Sequence, residues 1–175
     1  MKKTFLLLVL VLTLILTSCD LNDILSKFDK DNKTNEITEE KSENKYDHIF
    51  EDFNDENSKI ITENLSNSAI KEKVIVKDVN DEVLGYVYTV SGNNAYGPIS
   101  LLVGIGADGK LVSAELLENG QSFAKEVETH VNSSYTLGLT LEEITNINTI
   151  CGATYGANTV KELIIIAYED YELNK

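Results

Sequence analysis

Ser100-Leu-Leu-Val-Gly-Ile-Gly106, then Ala107-Asp108-Gly109, then Lys110-Leu-Val-Ser-Ala-Glu-Leu-Leu-Glu118 is the stretch that decides the fold. The first run is almost wholly apolar and short, the pattern of a strand deep in a sheet. Asp108-Gly109 is a strong hairpin signal, because the pair tolerates the positive φ that a tight turn needs. Lys110 to Glu118 then reads as the partner strand. Upstream, Glu82 to Ser91 alternates: Tyr86, Tyr88 and Val90 fall on one set, Val83, Val87 and Thr89 on the other. Gly92 to Gly97 reads as a loop between these strands. Val74 and Val76 open an earlier strand that begins near Glu72. The centre of the chain is therefore a small, mostly antiparallel meander.

The flanks read as helical. Tyr46, Ile49, Phe50 and Phe53 recur at helical spacing and predict a short amphipathic helix, which Ile60, Ile61 and Leu65 continue or follow with a further turn. Phe123, Val127 and Val131 lie four apart, on one helix face. Thr140-Leu-Glu-Glu143 fits a capping box. Val160, Leu163, Ile164, Ala167, Tyr168 and Tyr171 follow the spacing of an amphipathic helix with one face on the sheet. The class is α+β: a small, mostly antiparallel sheet with packed helices and a C-terminal amphipathic helix. There is no internal repeat.

The first nineteen residues carry an address. Lys2 and Lys3 precede an apolar run from Phe5 to Leu16. A membrane span needs roughly 20 apolar residues, so the run suits a signal peptide better. It ends in Leu16-Thr17-Ser18-Cys19, which resembles the bacterial lipobox. The expectation is a signal peptide over 1–18, removed so that Cys19 becomes a lipid-modified N-terminus facing outside the cytoplasm. An ordinary signal peptide with a chance cysteine is the alternative. Residues 19–45 hold the lipidated Cys19 and an acidic, Asn- and Thr-rich segment with little apolar content, read as a disordered tether. A coil of about 26 residues spans roughly 30 Å. Residues 46–175 form the folded domain.

Composition removes several function classes. The net charge is −14 and every basic residue is Lys. Nucleic acid is not an expected partner, because phosphate binding needs basic patches. Of two cysteines, lipidation uses Cys19 and leaves Cys151 alone, so no internal disulfide or cysteine-based metal cluster is expected. His48 and His130 have no metal-ligand spacing. His130 lies on the apolar side of its helix and reads as structural or partly exposed.

The chemistry concentrates in Ile147-Asn148-Thr149-Ile150-Cys151-Gly152-Ala153-Thr154-Tyr155-Gly156-Ala157-Asn158, which runs into the last helix. A small-residue turn entering a helix exposes backbone N–H groups, and with the helix dipole these suit an anion such as phosphate. Gly152 and Ala153 let a ligand approach the backbone. Thr154 places a hydroxyl beside that point. By these residues alone, a plain N-terminal turn with Thr154 as cap is the commoner reading of such a segment.

The segment resembles the flavinylation motif of the FMN-binding domain family, whose members include covalently flavinylated components of the Na⁺-translocating quinone reductase and of the Rnf complex. That motif runs Asp, two residues, Ser or Thr, Gly, Ala, Thr. Gly152, Ala153 and Thr154 match its end. Gly85 to Gly92, with Tyr96-Gly97-Pro98-Ile99, resembles the family's first strand and glycine-rich loop. Leu102 to Ile105 with Asp108-Gly109-Lys110 resembles its central hairpin. The likeness covers about residues 46–171, in order.

What the resemblance implies is FMN held through a phosphoester bond on Thr154, installed by a flavin transferase. The chain departs from the motif at Asn148, where the family has Asp, and at Cys151, where it has Ser or Thr. Gly156 stands where many members have a second hydroxyl residue. Gln121-Ser122 falls where longer members carry Glu-Thr beside the flavin; equally, Ser122 reads as a helix cap. Cys151 also reads as a small buried residue in place of Ser. Tyr96 with Gly97, and Tyr155, are candidates for stacking on the ring. The cofactor-binding set is thus Asn148, Cys151, Gly152, Ala153, Thr154, Tyr155, Gln121, Ser122, Tyr96 and Gly97, with Cys19 for lipid.

The implied function is an electron carrier more than a stand-alone enzyme. It is anchored to the membrane by lipid, matured by a flavin transferase, and reduced by membrane redox proteins or a quinone reductase. Two other readings stand beside it: a flavin-free binding or interaction lipoprotein on the same fold, and a small extracytoplasmic flavin reductase.

Overall fold

The computed structural model describes residues 45–149 and 152–175. The signal peptide, Cys19, the tether up to residue 44, and Cys151 lie outside the described residues. Five strands form one sheet: β1 (Lys59–Ile61), β2 (Ile70–Lys77), β3 (Val83–Asn94), β4 (Gly97–Gly106) and β5 (Leu111–Asn119). Their spatial order is their chain order, and each neighbouring pair is antiparallel. Three helices follow: α1 (Ala124–Ser134), α2 (Leu141–Thr145) and α3 (Thr154–Asn174). The class is α+β.

Side chains alternate across the sheet, so each strand supplies two cores. Tyr86, Tyr88 and Val90 of β3 and Ile99, Leu101, Val103 and Ile105 of β4 face the helices. There they meet Val127 and Val131 of α1 and Val160, Leu163, Ile164, Ala167, Tyr168 and Tyr171 of α3. All six of those α3 positions are the ones its apolar spacing selects. Fully burying an aliphatic or aromatic side chain contributes about 1.5–3 kcal/mol, so this face dominates the stability. Thr140 and Glu143 close the capping box of α2, each side chain bonding the other's backbone N–H.

The opposite face carries a smaller core of Val74, Val76, Val87 and Leu102, covered by Tyr46, Ile49 and Phe50. Two glycines make that cover possible. A Cβ on Gly85 would lie 2.6 Å from the Phe50 ring, and one on Gly104 would lie 2.7 Å from the Ile49 side chain. The predicted helix over these residues is not what forms. Ile49 N–H donates to Tyr46 O at 3.0 Å and Phe53 N–H to Phe50 O at 3.2 Å, so the segment is a pair of tight turns. Successive turns of three to four residues bring the same side chains to one side as a helix does. Ile60 and Ile61 do not extend a helix either; they belong to β1, and Ile60 is exposed.

Gly92 to Gly97 is likewise shorter as a loop than its composition implies. β3 runs on to Asn94 and pairs there with Gly97, leaving only Ala95 and Tyr96 in the turn.

Two charged side chains sit inside the main core. Lys73 of β2 donates to Asp170 of α3 at 2.7 Å, with both side chains about 5% exposed or less. Ser66 Oγ donates to the same carboxylate. The Lys73 ammonium lies 5.3 Å from the Tyr86 ring centre and 5.6 Å from that of Tyr88, a favourable cation–ring geometry. His130, on the inner face of α1, is also fully buried. Its Nδ1 is 3.0 Å from Ser134 Oγ, and its ring meets Tyr135 edge-on at 5.6 Å.

Among the described residues no helix is long and apolar enough to cross a membrane.

Candidate functional site

The β3–β4 turn and the start of α3 meet at one end of the sheet. Asn94 organises the turn: its Oδ1 accepts from Tyr96 N–H at 2.8 Å. Gly97 follows with φ +132°, a backbone shape that side chains disfavour. A Cβ there would also strike the Gly120 carbonyl. The β5–α1 connection packs against this tip. Gly120 N–H donates to Pro98 O at 2.8 Å, and Gln121 Nε2 donates to Gly97 O at 2.5 Å.

The other wall is the first turn of α3. Gly152 takes φ +96° with open space around its Cβ position, so glycine serves the backbone shape there and not close packing. Ala153 is the N-cap, and Ala157 N–H closes the first helical bond onto its carbonyl at 2.9 Å. Thr154 is thus the first residue of the helix and not its cap. Lys161, about two turns on, donates to Thr145 O at 2.8 Å and Ile147 O at 2.9 Å, fixing the segment that leads into the motif.

Between these walls lies a cavity of about 240 Å³, bordered by Tyr96, Gln121, Phe123, Val127, Gly152, Ala153, Thr154, Tyr155 and Gly156. Tyr96 and Tyr155 face each other across its mouth, with ring centres 5.2 Å apart at 49°. They are 45% and 61% exposed, and Phe123 beside them is 51% exposed. These are large apolar surfaces left open to water at one place.

Six of the ten residues chosen from sequence border this cavity: Tyr96, Gln121, Gly152, Ala153, Thr154 and Tyr155. Gly97 stands behind it, holding Gln121 through its carbonyl. Ser122 is exposed and outside the lining, and it does not cap α1; Phe123 occupies the N-cap position without a side-chain hydrogen bond. Asn148 is exposed and outside the lining as well. Cys151 is not among the described residues.

Three lining residues fall outside the set chosen from sequence: Phe123, Val127 and Gly156. The spacing of Phe123 with Val127 and Val131 points to packing, yet Phe123 sits at the open mouth. Gly156 had a readable signal, a glycine inside a helical pattern. A Cβ there would lie 2.5 Å from Val127 and 3.3 Å from Gln121 Oε1. Gly156 therefore lets α3 lie against α1, which leaves no room for a hydroxyl side chain at that position.

No protein-family model matches the chain, and no curated protein matches it.

Proposed function

We propose that this chain is a membrane-anchored, extracytoplasmic FMN-binding electron-transfer protein, with FMN attached through a phosphoester to Thr154. One observation carries the reading. Tyr96, Gln121, Gly152 and Thr154, drawn from three separate stretches that resemble a flavinylated domain, border a single cavity together with Tyr155, chosen as a ring-stacking candidate.

The residues suit the group. Tyr96, Phe123 and Tyr155 offer flat apolar surface for a ring system and screen it from water. Gln121, fixed through Nε2, presents Oε1 beside Gly156 as an acceptor. Thr154 is exposed, within reach of an external transferase. In the attachment step the Thr154 hydroxyl gives up its proton and attacks the FAD pyrophosphate; its oxygen gains the FMN phosphoryl group and AMP leaves. A bound flavin supplies the electron chemistry, while the protein supplies position and surroundings.

The lipobox-like Leu16-Thr17-Ser18-Cys19 supports the anchor. A bond to Thr154 keeps the cofactor on a carrier that would otherwise lose it to the medium. A lipid anchor would raise the effective concentration of the domain toward membrane redox partners, including a quinone reductase as donor.

The test is co-expression of the chain with a flavin transferase, read by in-gel flavin fluorescence and intact mass. The expected result is a fluorescent band with one added FMN, absent in Thr154→Ala. A second reading, a flavin-free binding module, draws on Asn148, which lacks the motif's carboxylate and lies outside the lining. Bare mass and a colourless protein would favour it. Steady turnover of one soluble acceptor without a membrane partner would favour the reductase reading.

A further inference from the structure

We propose that the cavity receives an uncharged, planar heteroaromatic ring bearing an N–H donor, with any phosphate on the ligand left outside. The chain without covalent flavin then binds riboflavin more tightly than FMN. This deepens the flavin reading above and rests on it.

The lining supports the charge preference. Its members are three aromatics, one amide, one valine, one alanine, two glycines and a threonine, and none carries a charge. Lys161, about two turns into α3, has its ammonium on the Thr145 and Ile147 carbonyls. A phosphate dianion pushed into an apolar space without a cation loses its hydration and gains no counter-charge. The whole chain adds to the penalty, since its net charge of −14 repels anions at a distance.

The amino end of α3 pulls the other way, because a helix N-terminus favours negative charge. That pull is local and acts on a phosphate beside Thr154, at the rim and not within the aromatic mouth. It helps to place a phosphate outside the cavity and does not draw it in.

The polar contact sets the second requirement. Gln121 is 7% exposed and its Nε2 is committed to Gly97 O. The amide therefore sets its acceptor, Oε1, beside Gly156 in the cavity wall, where a ring N–H would meet it. A ring without that hydrogen forgoes this contact.

The arrangement also gives the covalent bond a purpose. Esterifying the phosphate to Thr154 removes one of its two negative charges and holds the ring in a cavity that attracts free FMN poorly.

The experiment is a titration of the full chain in detergent, its mass confirming that no flavin is attached. Riboflavin, FMN and lumiflavin are each followed by quenching of their own fluorescence, at low and high salt. Riboflavin is expected to bind about tenfold more tightly than FMN at low salt, the gap closing as salt screens the chain's charge. Lumiflavin, uncharged and lacking the ribityl chain, should stay within a few-fold of riboflavin. Phe123→Lys, which adds a cation at an exposed rim position, should raise FMN relative to riboflavin. FMN binding as tightly as riboflavin at low salt would overturn the inference and leave the flavin reading standing. A chain that is folded by circular dichroism and binds none of the three would overturn both.

Discussion

Asn94 Nδ2 donates a hydrogen bond to Thr159 Oγ1 at 2.8 Å, tying the tip of the β3–β4 hairpin to the first turns of α3. Thr159 in turn donates to Tyr155 O at 3.0 Å, while Asn94 Oδ1 holds Tyr96 N–H. One asparagine and one threonine thus connect the two aromatic residues at the cavity mouth through their backbones. Thr159→Val keeps the shape and removes the link. It should cost about 1 kcal/mol of stability, the net worth of a typical hydrogen bond. The more telling outcome, on the flavin reading proposed above, is a several-fold drop in flavin affinity with a changed near-ultraviolet circular dichroism signal from the tyrosine pair. Unchanged affinity would show that the walls hold their places without it.

Gly156→Ala sets two effects against each other. Alanine favours a helix by up to about 1 kcal/mol over glycine. Its Cβ, however, would meet Val127 at 2.5 Å, and overpacking of this kind typically costs about 1–3 kcal/mol. A net loss in the denaturant midpoint is expected. Val127→Ala in the same chain should recover part of that loss, although alone it destabilises by opening a void. Additive losses in the double variant would contradict the steric account.

The Lys73–Asp170 pair should behave as a buried charge pair. Removing one partner, as in Lys73→Met, strands the other and is expected to cost about 3–5 kcal/mol. Lys73→Met with Asp170→Leu should return much of the loss, which urea unfolding can measure. Burial pushes the Asp170 carboxyl up, but the hydrogen bonds from Lys73 and Ser66 outweigh it and hold the group below its ordinary range. A depressed carboxylate contributes stability above its unfolded value, near pH 4, and loses it as the pH falls through the folded value. Unfolding midpoints should therefore drop steeply below about pH 4 in the native chain, and much less in the double variant.

His130 sets a second pH dependence at a higher range. Burial, and then the nearby Lys161 charge, hold its imidazole below the ordinary value. The folded state prefers the neutral ring, so stability is full above the unfolded value, about 6.5, and falls as the pH drops below it. His130→Gln removes that titration. Denaturant midpoints between about pH 7 and 5 should decline in the native chain and stay flatter in the variant. Parallel curves would assign the decline to other groups.

Local chemistry explains which parts of this architecture were legible in the sequence. Asp108-Gly109 marks its own turn, Tyr86, Tyr88 and Val90 alternate with the period of a strand, and Thr140 with Glu143 completes a cap within one turn. The six apolar positions of α3 need no partner to be recognised. Tyr46, Ile49, Phe50 and Phe53 misled because paired turns and a helix place the same side chains on one side; only the hydrogen-bond pattern separates them. The tight β3–β4 turn was hidden because Gly92, Asn93 and Asn94, loop-forming types, are here strand residues. Within the cavity, residues matching a motif could be found, whereas Phe123 and Val127 joined it through the packing of α1 on α3, which no local pattern encodes.

The sheet and the cavity also differ in when they can form. Each strand pairs with the one beside it in sequence, so the meander needs only short chain closures, which are the fast ones. The cavity joins Tyr96 in a mid-chain hairpin to the residues that begin the last helix, and it exists only after that helix has docked. Whatever recognises this cavity, enzyme or small molecule, therefore encounters a finished protein. The cavity is thus a late feature of folding, present only in chains whose last helix is already seated on the sheet.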